Sequence, residues 1–162
     1  MFNLPAIPVW EGFHPLVVHF PIALLISAPL LIVLGLIWKS RQQSFFIASF
    51  VLMLLGTLAT FIAVATGQAA GEIALRNEEI NKVIELHSNL ATTTRNMFSA
   101  ISILFLFILL LPKILKREIK PAINLLIIAL FMVIYFIGII SIANTAHQGG
   151  ILVHQLGVKS II

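Results

Sequence analysis

Polar residues fall in clusters along this chain, and four long apolar stretches run between the clusters. They cover approximately 15–38, 45–66, 97–115 and 122–143. A helix needs roughly 20 apolar residues to cross a bilayer, so each stretch reads as a membrane span. Within 15–38, 45–66, 97–111 and 122–143 there is no Asp, Glu, Lys or Arg. Intramembrane charge marks proton relays and ion pathways, so its absence argues against a pump or an ion-coupled transporter. Pro15 and Pro121 suit the first turn of a helix, where a missing N–H costs nothing. Pro21 and Pro29 lie inside the first span and should bend it.

The long second connection carries a pattern of its own. Asn77 followed by Glu78 and Glu79 is a helix start, with a capping side chain and then acids at the positive end of the dipole. Beyond it, Ile80, Val83, Ile84, His87, Leu90 and Ala91 fall on one helical stripe, while Asn81, Lys82, Glu85, Ser88 and Asn89 take the other face. The pattern predicts an outer helix over about 78–96 that continues into the third span. The expected fold is all-α: a single four-helix transmembrane bundle over 1–162, with helix 3 extended outside the membrane. No internal repeat and no low-complexity segment is visible.

Composition agrees with the pattern. Of 162 residues, 60% are hydrophobic and 10% charged, against about a quarter charged in soluble domains. A chain so poor in charge cannot cover a water-facing surface. The basic pI of about 9.9 comes from short loops and speaks for membrane orientation, not nucleic acid. Lys39 and Arg41 lie in the first connection; Lys113, Lys116, Arg117 and Lys120, with Glu118, lie in the third. Glu11, Glu72, Glu78, Glu79 and Glu85 lie on the opposite side. By the positive-inside rule the basic loops are cytoplasmic and both termini face outward, as expected of a multi-pass protein of a bacterial inner membrane. The segment before His14 has no basic n-region and no cleavage site, so it does not read as a signal peptide. Cysteine is absent, which excludes disulfides, iron–sulfur ligation by thiolates and covalent haem attachment through CxxCH.

The candidate chemistry lies in the histidines: His14, His19, His87, His147 and His154. Counting 1.5 Å per residue from the cytoplasmic helix ends puts His14 about 36 Å, His87 about 37 Å and His147 about 39 Å up. His19 comes to about 29 Å, roughly 140° around the helix from His14. Three helices therefore bring an imidazole to one level at the outer interface. Imidazoles facing each other across a helix bundle are the usual axial ligands of b-type haem. Small residues leave room for a porphyrin: Gly56 to Gly71 in the second helix is rich in Gly, Ala and Thr, and Gly149 and Gly150 follow His147. Such runs also serve plain helix packing. Met97 reads as core, and His154 is the weakest candidate.

His14-Pro15-Leu-Val-Val-His19-Phe-Pro21-Ile-Ala, Thr66-Gly67-Gln-Ala-Ala-Gly71-Glu72, His87 and Ala146-His147-Gln-Gly149-Gly150-Ile-Leu-Val resemble an uncharacterised bacterial family of small four-helix membrane proteins. That family opens with HPxxVHFPIA and closes with HxGGxLV, and the resemblance covers nearly the whole chain. Relatives are sometimes joined to cytochrome c or Rieske domains, which implies a redox setting at the outer face. The family pattern carries over to His14, His19, His87 and His147. Relatives usually have tyrosine after the closing Leu-Val, where this chain has His154.

The reading is a membrane b-type cytochrome with one or two haems, an electron-transfer protein more than a stand-alone enzyme. His14, His19, His87 and His147 are the expected haem iron ligands. Expected partners are other membrane redox subunits, a periplasmic c-type cytochrome or similar carrier, and quinone. Two alternatives stay open: a histidine-rich site for copper, iron or zinc, and a non-catalytic assembly subunit. No nucleophile–base motif appears.

Overall fold

In the computed structural model, residues 8–75 and 77–158 are described. A short helix α1 (His14–Val17) leads through Val18 into α2 (His19–Ile37), followed by α3 (Gln42–Ile73), α4 (Glu78–Ile114) and α5 (Pro121–His154). Single 3₁₀ turns occupy Trp10–Gly12 and Lys39–Arg41. With α1 and α2 taken as one element, four helices are long and apolar enough to cross a membrane. The described residues contain no strand. At 1.5 Å per residue, the 37 residues of α4 reach about 55 Å, well beyond a hydrocarbon core of about 30 Å. The expected outer helix and third span are thus one element. Asn77 caps it as expected, accepting the Ile80 N–H at 2.8 Å.

The outward face is apolar. Leu30, Ile103, Val133 and Phe136 are each more than 60% exposed, a surface suited to lipid and costly in water. Inside, Leu25, Ala28 and Ile32 of α2 meet Met53 of α3, Phe98 and Phe105 of α4, and Phe131 and Tyr135 of α5. Phe105 stacks on Phe131 with ring centres 4.8 Å apart, and Tyr135 lies 5.5 Å edge-on from Phe98. Between lipid-soluble helices the hydrophobic effect supplies little, so close packing and interhelical hydrogen bonds hold the bundle.

The prolines of the first span act through the N–H that each lacks. The chain turns at Val18 just ahead of Pro21. Pro29 has no N–H, so the Leu25 carbonyl one turn earlier loses its helical partner. Tyr135 fills the vacancy: its hydroxyl donates to that carbonyl at 2.7 Å, tying α5 to α2. Ser49 of α3 likewise donates to the Ala28 carbonyl at 2.8 Å.

The structure also contains a repeat that sequence identity hides. The buried residues of α5 are Ile128, Phe131, Tyr135, Gly138 and Ile142. Each lies 82 positions beyond a buried residue of α3: Phe46, Ser49, Met53, Gly56 and Thr60. Pro21, Leu25, Ala28, Pro29 and Ile32 are buried in α2. Their counterparts 73 positions on are the buried Thr94, Phe98, Ile101, Ser102 and Phe105 of α4. The bundle is two copies of one helical hairpin, α1–α3 and α4–α5. Matching glycines close each copy: a Cβ on Gly56 would strike Leu25 at 2.8 Å, and one on Gly138 would strike Phe98 at 2.9 Å. What repeats is the register of burial, because membrane packing accepts many apolar residues at one position.

Candidate functional site

Eleven residues before Leu25 and Phe98, three helical turns nearer the histidine end, the equivalent positions are His14 and His87. Eleven residues preserve the helix face, so both imidazoles point inward where the buried side chains below them do. Their ring centres lie 6.2 Å apart with the planes nearly perpendicular, at 84°. Both are half-buried.

Each ring is held by the second helix of its own hairpin. His14 Nδ1 is 2.9 Å from the Ala63 carbonyl of α3, and His87 Nδ1 is 3.0 Å from the Thr145 carbonyl of α5. A carbonyl oxygen only accepts, so Nδ1 carries the proton and donates it in both rings. In the neutral imidazole Nε2 then keeps its lone pair. Neither Nε2 has a hydrogen-bond partner among the described residues. Four residues past each carbonyl stands a glycine. A Cβ on Gly67 would fall 2.8 Å from His14 Cε1, and one on Gly149 would fall 3.1 Å from His87 Cε1.

Hydroxyls back the pair. Thr66 Oγ1 lies 3.4 Å from His14 Nδ1 and itself donates to the Ile62 carbonyl. Beside His87, Thr94 Oγ1 is 2.7 Å from Ser141 Oγ and 2.9 Å from Thr145 Oγ1, which donates to the Ser141 carbonyl. These bonds satisfy buried polar groups and fix the turn whose carbonyl receives His87.

Both rings line a cavity of about 1010 Å³ bounded by all four long helices. Its floor is apolar, with Ile22, Leu25, Val64 and Ile142; its waist is small, with Ala63, Gly67, Ala91, Thr145 and Gly149; Glu11, Glu72 and Glu85 stand among its polar residues. The volume is at the upper end for a small-molecule or cofactor site.

Of the expected ligands, the structure brings together His14 and His87. His19 lines the same cavity but is exposed. His147 is exposed and is not part of the cavity wall. It lies two residues, about 200° of helix, from both Thr145 and Gly149, which face the cavity. The count along the axis gave its level and not its direction. His154 lines the cavity and is exposed. Among the described residues, no three His, Cys, Asp or Glu side chains are grouped to hold a metal ion. Sequence reasoning missed the carbonyl of Ala63 and the carbonyl of Thr145 as ring anchors. Its available signal was the eleven-residue step shared by Gly56–Gly67, Gly138–Gly149 and the side chains they receive.

No curated protein and no solved structure matches the chain significantly. A family model does match, over residues 11–161, from just before the first imidazole to the C-terminal end. The chain belongs to that family, DUF2231, predicted membrane proteins.

Proposed function

We propose that this protein is a membrane b-type cytochrome in which Nε2 of His14 and Nε2 of His87 would hold a single haem in the cavity. The observation that carries the reading is the imidazole pair itself, with both Nδ1 atoms anchored and neither Nε2 hydrogen-bonded among the described residues. A first-row metal–imidazole bond is about 2.0–2.1 Å, so two rings whose centres lie about 6 Å apart could share one metal ion. The 6.2 Å between His14 and His87 fits that requirement. Haem, when bound, supplies one-electron transfer. The chain's part is to hold both imidazoles neutral and oriented through the Ala63 and Thr145 carbonyls, as outer hydrogen bonds commonly do for metal-bound histidines.

His19 and His147, exposed and apart from this pair, are not assigned as ligands, which favours one haem over two. The basic loops around Lys39 and Lys116 set the orientation, so the cavity faces away from the cytoplasm of a bacterial inner membrane. The protein then exchanges electrons at that face, with a periplasmic c-type cytochrome or similar carrier, or with quinone and other membrane redox subunits. Absorption spectra of the purified full-length protein, oxidised and reduced, test the reading, together with haem extraction into acidified organic solvent. A low-spin bis-histidine spectrum with extractable haem is expected. A colourless protein loaded with copper, iron or zinc overturns the haem assignment, and a colourless metal-free one overturns any redox role.

A further inference from the structure

We infer that Gly67 and Gly149 are paired positioning residues: each is the seat that lets one imidazole reach its carbonyl anchor, and each serves only the histidine of its own hairpin. The inference rests on the two-imidazole reading above and extends it to two glycines of the cavity wall.

Three observations meet at these glycines. First, the three atoms nearest to a side chain at each glycine all belong to one imidazole ring. A Cβ on Gly67 would meet Cε1, Nδ1 and Nε2 of His14 at 2.8, 3.0 and 3.4 Å; a Cβ on Gly149 would meet the same atoms of His87, in the same order, at 3.1, 3.5 and 3.9 Å. Second, each glycine sits one turn past the carbonyl that its ring donates to, Ala63 and Thr145. Seat and anchor are therefore on one helix face, and a ring pushed off the seat leaves the anchor. Third, the arrangement occurs twice in matching register, with Gly67 and Gly149 eleven residues beyond Gly56 and Gly138. Gly150, next in the chain, has nothing within 4 Å, so helical glycine in this region does not by itself imply a ring seat.

Alanine is the better helix former by about 1 kcal/mol. A glycine whose only task is to admit a ring therefore becomes replaceable once the ring is gone. The test is a double-mutant cycle in the full-length protein in detergent, read by thermal unfolding. G67A should lower Tm in the wild-type background and leave it equal or higher in the H14A background. G149A should behave likewise with H87A, and more mildly, since 3.1 Å leaves a neighbour only a few tenths to give. The crossed pairs, G67A with H87A and G149A with H14A, should show no relief. ¹⁵N spectra of the imidazoles supply a second readout. G67A should shift the His14 signals away from the Nδ1-protonated form, G149A those of His87, and G150A neither. In protein that carries haem, G67A should weaken its retention about tenfold or more.

Equal losses of Tm with and without the matching histidine, or relief by the crossed pairs, overturn the inference. If G67A does not fold, the milder G149A carries the same cycle. A wild-type protein that proves to hold no haem defeats the proposed function, while the cycle and the imidazole spectra still decide the role of the glycines.

Discussion

The two ends of the bundle are built from the same four helices and packed in opposite ways. Towards the basic loops, Phe46, Phe105, Phe131 and Ile32 fill the interior, with Phe105 and Phe131 stacked. Towards the histidines the interior positions pass to Ala63, Gly67, Ala91 and Gly149, and the core becomes a cavity. Tight packing is what stabilises helices in lipid. The histidine end forgoes it over three turns and puts in its place carbonyl-anchored rings and a hydroxyl cluster. One end holds the fold, and the other spends part of that stability on a site.

The comparison can be broken most directly at the site. Replacing His14 or His87 by alanine should remove most bound haem, measured as haem per protein after purification, whereas H19A and H147A should retain it. Retention in H14A together with loss in H147A would relocate the site. At the packed end, Phe131→Ala or Phe105→Ala should cost about 3–5 kcal/mol of stability, as large-to-small changes in filled cores do. Val64→Ala, on the cavity wall, should cost clearly less in the same unfolding assay, since its surroundings are already incomplete. Similar losses at both ends would mean that the cavity is closed in the working protein. Tyr135→Phe keeps the ring and deletes the bond to Leu25, so it should cost about 0.5–1.5 kcal/mol. A Pro29→Ala change should shrink that cost by restoring the helical partner of the same carbonyl. The smallest effect is expected at the Glu78–Lys82 pair on the exposed first turn of α4: Lys82→Ala should change stability by about 0.5 kcal/mol or less.

The same contrast explains what could be read from the chain. Helix number, the long α4 and its Asn77 cap follow from local rules, periodicity and capping, which act within one helix. The shared level of His14 and His87 also follows, since rise per residue is fixed. Direction around the helix is set by which faces the partners present, and on that ground His147 and His14 could not be separated in advance. Apolar character alone does not say which side of a lipid-soluble helix is inside, because both sides are hydrophobic. The hairpin repeat escaped for the same reason: Leu25 and Phe98 occupy equivalent places but share no identity. Pro29, by contrast, carries a legible signal. A mid-helix proline leaves a carbonyl in need of a donor, and Tyr135, the one tyrosine in the chain, supplies it.

The two anchoring carbonyls carry one more consequence. Each belongs to an α-helix, where the oxygen of residue i also receives the amide of residue i+4. For Ala63 and Thr145 those amides are Gly67 and Gly149, the seats of the rings. Each oxygen thus serves at least two donors, with Thr66 Oγ1 a third at 3.1 Å from the Ala63 oxygen, and the helical bond and the imidazole bond compete for the same electron density. Any strengthening of the pull on Nδ1–H, such as a positive charge arriving at the far nitrogen, loosens the helix at that turn. Amide hydrogen exchange at Gly67 and Gly149 would register it. In α3 and in α5 a backbone amide thus shares its acceptor with a side chain on a neighbouring helix.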